Sequence, residues 1–160
     1  MALSKISNGG LETLTQAGIV ATSGMPAKSV IQVVSNTTTA DISTTDTTFE
    51  ATGLSASIIP ASTSSKVFVI VSSPSWYCDN QNAYATVFRD TTNIGNGDYG
   101  LMQVYVGAAY APSTTQVLDA PASTSSLTYS VHHRVRVGGS SYISYSTYGQ
   151  FTITLMEVAG

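Results

Sequence analysis

Three features of the sequence predict an all-β protein, read as a jelly-roll β-sandwich. Strand-length runs, apolar or alternating, recur every 10 to 15 residues or so with turn residues between them, a spacing of sandwiches and barrels, not βαβ units. Ser and Thr fill roughly a quarter of the 160 residues, Thr suiting strands and Ser suiting turns. Charged residues make up 9 %, against about 25 % in an average soluble domain, so the long polar helix formers are scarce.

The elements follow in order. Residues 1–29 are set apart by Gly9, Gly10, Gly18, Gly24 and Pro26, with short apolar pieces at Leu11, Leu14, Ile19 and Val20. Apart from a possible helical turn over Leu11 to Gln16, this stretch is too rich in glycine to hold a helix, and it is expected to be an extended arm. Residues 30–160 are expected to be the jelly-roll domain. SVIQVVS is its first strand. Phe49, Leu54, Ile58 and Ile59 flank Gly53, which predicts two short strands about a turn. KVFVIVSS follows the turn PASTSS. Its apolar run lacks a polar alternation, so both of its faces are expected to be covered.

AYATVFRD alternates, with Tyr84, Thr86 and Phe88 on one face and Ala83, Ala85, Val87 and Arg89 on the other. TTNIGNGD reads as a hairpin connection. LMQVYVGAAY and TQVLDA come next. TYSVHHRVRV then places Tyr129, Val131, His133, Val135 and Val137 opposite Ser130, His132, Arg134 and Arg136. SYISYSTY is a further possible strand after the turn at Gly138 and Gly139. QFTITLMEV closes the chain, with Phe151, Ile153 and Leu155 facing one way and Thr152, Thr154, Met156 and Val158 the other. A strong last strand of this kind is expected to pair centrally, beside an early one. The total is roughly eight to ten strands, the number of a two-sheet jelly roll.

Composition also limits function. A formal net charge of −3 argues against nucleic acid, which requires a basic stripe. No run approaches the roughly 20 apolar residues of a membrane helix. The start MALSKISNGGLETLTQ lacks the apolar core of a secretory signal. Cys78 is the only cysteine, so no intrachain disulfide forms, and no histidine stands at motif spacing from it. The carboxylates lie mostly at turns, and no Ser–His–acid, P-loop or HExxH pattern is present, so the chain is expected not to be an enzyme and to carry no cofactor. Lys and Glu are depleted at protein interfaces, so a surface poor in both suits a subunit covered by its neighbours; a Ser/Thr-rich secreted domain has the same composition.

The phrases QVVSNTTTADISTTDTTFEATGLSASIIPASTSSKVFVIV, FRDTTNIGNGD, LDAPASTSSLTYSVHHRVRVGGSSYI and ITLMEV, in that order, resemble a family of bacteriophage tail-fibre and virion structural proteins of marine and cyanobacterial hosts. The opening LSKISNGGLET is similar to the start of such proteins. The likeness spans nearly the whole chain and contains no catalytic motif. It implies a trimeric jelly roll of the C1q and tumour-necrosis-factor type and a place in the virion. The short segment before the domain leaves no room for a fibre shaft. The expectation is therefore a capsid decoration (cement) protein on the capsid exterior, a homotrimer on the major capsid protein. The alternative is the receptor-binding head of a short tail fibre contacting host surface glycan. A soluble trimeric ligand of the C1q type is the reading outside viruses, and the missing signal weighs against it.

Three groups of side chains are candidate contacts. His132, Arg134 and Arg136, beside His133, form either a basic strip for an acidic partner, or a solvated strand face or a polar band near a trimer axis. Adjacent strand histidines point oppositely, so a metal would need copies of one histidine converging on such an axis. Tyr142, Tyr145 and Tyr148 in their Ser-rich stretch suit either sugar stacking or subunit contact. Trp76 with Tyr77 and Tyr99 is a possible glycan platform at a loop end. Leu11, Leu14, Ile19 and Val20 are the candidate capsid contacts of the arm.

Overall fold

The computed structural model describes residues 26–79, 81–105 and 109–160. The arm residues Leu11, Leu14, Ile19 and Val20 lie outside the described residues. Among the described residues the chain is all-β, apart from one 3₁₀ turn at Ser146–Tyr148. The strands are β1 (Val30–Thr38), β2 (Ile42–Thr44), β3 (Glu50–Ile58), β4 (Lys66–Cys78), β5 (Asn82–Arg89), β6 (Thr92–Asn93), β7 (Met102–Tyr105), β8 (Ala111–Asp119), β9 (Leu127–Val135), β10 (Ser141–Ser144) and β11 (Phe151–Val158).

They form two antiparallel sheets packed as a β-sandwich. The first runs β1-β11-β4, with β8 on the other side of β4, and continues past the end of β4 into β10 and β2. The second runs β3-β9-β5, with β6 and β7 both paired to β5. The closing strand β11 sits between β1 and β4, as its strong alternation predicts.

The core lies between the sheets and follows the period of two. Val67, Val69 and Val71 of β4 and Phe151, Ile153 and Leu155 of β11 face Leu54 and Ile58 of β3, Ala83, Ala85 and Val87 of β5, and Tyr129 and Val131 of β9. The inward set of β9 is the predicted one, Tyr129, Val131, His133 and Val135, while Val137 lies beyond the strand and is exposed. At one end of the sandwich Arg89 of β5 reaches both carboxylate oxygens of Asp119 on β8 at 2.7 Å. Tyr129 of β9 donates to the same carboxylate at 2.7 Å, so this cluster ties one sheet to the other. Glu157 is fully buried and is satisfied by Gln32 Nε2 and by the main-chain N–H of Ala61.

Three expectations are corrected. Leu54 and Ile58 do not flank a turn. Gly53 lies inside the single strand β3, at φ +83°, where the register against β9 shifts, so the glycine makes a bulge. The apolar run of β4 is fully covered on one face only: Val67, Val69 and Val71 are buried, while Phe68 and Ile70 on the outward face stay partly exposed. SYISYSTY divides into β10 and the 3₁₀ turn, because Tyr148 N–H bonds back to Tyr145 C=O. The strand β2 was not foreseen; three residues are too few for a periodic signal.

A bulge in β4 decides which aromatic residues reach the surface. Ser73 pairs with Ser113 and Trp76 with Ala111, so β4 has one residue more than β8 over this stretch. Pro74 lies in that stretch and has no N–H for the ladder. The extra residue reverses the alternation. Ser73 and Ser75 are buried, but so are Trp76 and Cys78, and Tyr77 turns outward.

Candidate functional site

The outward face of the first sheet carries the first candidate surface. Three transverse rows cross β1, β11, β4 and β8 in register. They are Val33–Met156–Phe68–Leu118, Ser35–Thr154–Ile70–Gln116 and Thr37–Thr152–Ser72–Thr114. None of these twelve residues is charged. Hydroxyl pairs knit the polar rows: Ser35 Oγ meets Thr154 Oγ1 at 3.1 Å and Ser72 Oγ meets Thr114 Oγ1 at 3.2 Å. The apolar row is open, with Val33 and Leu118 each more than half exposed at its two ends.

Further along β4 the same face ends in a cluster of five tyrosines. Tyr77 and Tyr142 are directly paired across β4 and β10. Tyr110 leads into β8, and Tyr145 and Tyr148 belong to the 3₁₀ turn. Ring centroids lie 5.2 Å apart for Tyr77–Tyr110, 4.9 Å for Tyr110–Tyr148, 5.5 Å for Tyr110–Tyr145 and 5.2 Å for Tyr142–Tyr145. The rings are tilted or edge-on to one another, which is the favoured geometry for their quadrupoles. The turn is held from below: the main-chain N–H of Ser146 donates to Asp41 Oδ1 at 2.6 Å, and this bond draws the Asp41 carboxyl below its ordinary value. Gly149, at φ +133°, lets the chain turn against Pro74. Crowding by its neighbours pushes the Tyr110 hydroxyl up from its ordinary value.

The sequence identified four of these five. Tyr110 was missed as a site residue; it stands alone in AAYAP and meets the others only through the fold. Two residues do not join them. Trp76 is completely buried, with its indole N–H donating to Ser141 Oγ at 2.8 Å, so it offers nothing to a receptor. Tyr99 packs edge-on against Tyr84, on the other sheet's outward side, at 5.6 Å. The predicted platform of Trp76, Tyr77 and Tyr99 is therefore not formed.

The predicted basic strip is also broken up. His132 stacks on Phe88 with centroids 4.1 Å apart, and burial pushes its imidazole below the ordinary value, so it is neutral at neutral pH. The Arg134 guanidinium lies 4.7 Å from the Tyr84 ring centroid and 5.3 Å from that of Phe49. It donates to Thr47 C=O at 3.0 Å and to Asp98 C=O, closing the loops over this face. Of the three, Arg136 remains as an exposed cation. His133 points inward and is buried, and its Nδ1 has no hydrogen-bond partner among the described residues.

Among the described residues, no group of three or more His, Cys, Asp or Glu is placed to hold a metal ion, and no helix is long and apolar enough to cross a membrane. A scan against protein-family models finds no match to the chain, and a search of curated proteins finds none either.

Proposed function

We propose that the chain is a non-enzymatic virion structural protein, a jelly roll that assembles as a homotrimer and decorates a phage capsid. The observation that carries this reading is the three uncharged rows on the outward face of the β1-β11-β4-β8 sheet, with Lys66 at the edge beyond Phe68. Phe68, Ile70 and Met156 are strand residues of core type left partly exposed, and covering the surface that each still shows is worth up to about 1 kcal/mol. No ionic group has to be stripped of water to cover these rows, so a second copy of the chain or a shell protein can lie flat on them. The strand order supports the jelly-roll reading. With the short strands β2, β6 and β10 set aside, the sheets β1-β11-β4-β8 and β3-β9-β5-β7 are filled as the chain passes alternately from one to the other, β5 and β7 being the one exception. The phage placement is supported by the phrase-by-phrase resemblance.

The mechanism is additive burial. Each subunit contributes weak apolar and hydroxyl contacts, and a three-copy foot makes the second and third contacts intramolecular, which raises total avidity without new chemistry. Covering the joints of a shell in this way raises the barrier to its rupture.

A second reading, the receptor-binding head of a short tail fibre, is favoured by the exposed tyrosines. Electron microscopy of the particle with this chain labelled separates the two. Label over the whole shell in many copies is the expected result. Label confined to the tail favours the second reading, and a particle without the chain overturns both. Sedimentation of the purified chain tests the assembly: the wild type is expected to run as a trimer and Phe68→Glu as a folded monomer, because the new carboxylate would be desolvated in the contact.

A further inference from the structure

We propose that the cluster of Tyr77, Tyr110, Tyr142, Tyr145 and Tyr148 is a binding site for a neutral glycan. It supplies the ligand class and the residues for the second reading above, and it stands on the geometry of the cluster, wherever in a particle the chain sits.

The site is built. Its rings come from β4, the lead into β8, β10 and the 3₁₀ turn, and the turn is fixed by Ser146 N–H on Asp41 and by Tyr148 N–H on Tyr145 C=O at 3.0 Å. Aromatic rings held in this way lose little freedom when a ligand arrives. Tyr110 and Tyr148 are about half exposed, at 45 % and 52 %. No hydrogen bond among the described residues engages the hydroxyls of Tyr77, Tyr142 or Tyr148.

The chemistry selects the ligand. A pyranose has an apolar C–H face that sits on the negative face of an aromatic ring, and a rim of hydroxyls that pairs with phenol O–H groups. The cluster offers both. It has no arginine or lysine to hold a phosphate, a sulfate or a nucleic-acid backbone. The one charged side chain bonded to it, Asp41, is negative and would repel anions. The charge balance therefore fits an uncharged ligand. The apolar row suited to a protein neighbour lies at the other end of the face, since Phe68 and Tyr77 are separated by roughly 30 Å of strand. Between the two ends stand the hydroxyl rows.

Native gel electrophoresis through gels containing dextran, mannan, xyloglucan or galactomannan tests the proposal on the full chain. Retardation in at least one gel is expected. The double variant Tyr110→Ala/Tyr148→Ala is expected to bind about tenfold more weakly or worse, having lost the two most exposed rings, while its thermal unfolding stays as in the wild type. Tyr99→Ala, on the other face, is expected to be retarded like the wild type. Free migration in all four gels overturns the proposal, as does equal retardation of the double variant. A double variant that instead changes sedimentation would make the cluster a contact between copies and also overturn it. The trimer variant Phe68→Glu should keep its gel retardation per subunit, so failure of the assembly reading and failure of this one are told apart.

Discussion

The two outward faces of the sandwich are both rich in aromatic residues, yet they are bonded in opposite ways. On the β3-β9-β5-β7 face, Arg134 lies over Phe49 and Tyr84 and holds two loop carbonyls, His132 stacks on Phe88, and Tyr99 closes over Tyr84. Arg134, His132 and the rings they meet already have intramolecular partners, while Arg136 and Tyr105 at the end of this sheet stay exposed. On the β1-β11-β4-β8 face, the apolar row and the tyrosine cluster have partners only among themselves, and no charged group crosses the rows. The densest charged cluster in the sequence is therefore mostly internal scaffolding, and the uncharged face is the one with capacity left to bind. A row of basic residues is evidence for a site only when the fold leaves it unsatisfied.

Substitutions should respond in line with this contrast. The largest loss of stability is expected beneath the uncharged face, at Trp76. Removing a fully buried indole and its bond to Ser141 leaves a large cavity, and Trp76→Ala should cost about 3–5 kcal/mol in urea unfolding. A cost under about 1 kcal/mol would mean that the β4 bulge does not direct Trp76 into the core.

Next comes the pH response of the other sheet. Burial, with a smaller push from His132, lowers the His133 imidazole to about 4 from its ordinary value of 6.5, and Asp46 only partly opposes this. The unfolded chain binds a proton near pH 6.5 that the folded chain does not accept until about pH 4. The contribution of neutral His133 is therefore complete above about pH 6.5 and falls by roughly 3 kcal/mol as the pH drops through that window. Urea midpoints measured between pH 7.5 and 4 should show the decline, and His133→Gln should flatten it.

A smaller loss is expected at Arg134. Its removal uncovers Tyr84 and frees two loop carbonyls, so Arg134→Ala should lower stability by about 1–2 kcal/mol. If the residue were instead a free basic contact, stability would not change. The smallest effect belongs to the tyrosine cluster. Tyr148→Ala removes an exposed ring without a structural hydrogen bond and should stay within about 0.5 kcal/mol of the wild type. A loss of 2 kcal/mol or so would mark the ring as part of the scaffold and erase the contrast between the faces.

Much of the strand pattern was legible because a period of two is a local signal. TYSVHHRVRV and QFTITLMEV place their inward residues as their alternation predicts, up to Val135 and Leu155. The errors arise where a bulge resets that period. At Gly53 the bulge keeps one strand running where a turn was expected, and near Pro74 it exchanges Trp76 for Tyr77 at the surface. Neither shift can be read without the partner strand, because a bulge is a mismatch in residue count between two strands. The tyrosine cluster was legible in part: Tyr142, Tyr145 and Tyr148 are neighbours in the chain, but Tyr77 and Tyr110 join them only through pairing with β10 and packing on the turn.

What the sequence determined by itself is the class of structure. Hydroxyl-rich alternating strands, turns at regular intervals and few charges leave little besides a β-sandwich, since each of these acts over a few neighbouring residues. What only the tertiary structure decided is which side chains have partners. Arg134 and Phe49 are 85 positions apart and Phe68 and Met156 are 88 apart, so whether a cation is covered or an apolar strand face is open depends on contacts that no local pattern encodes.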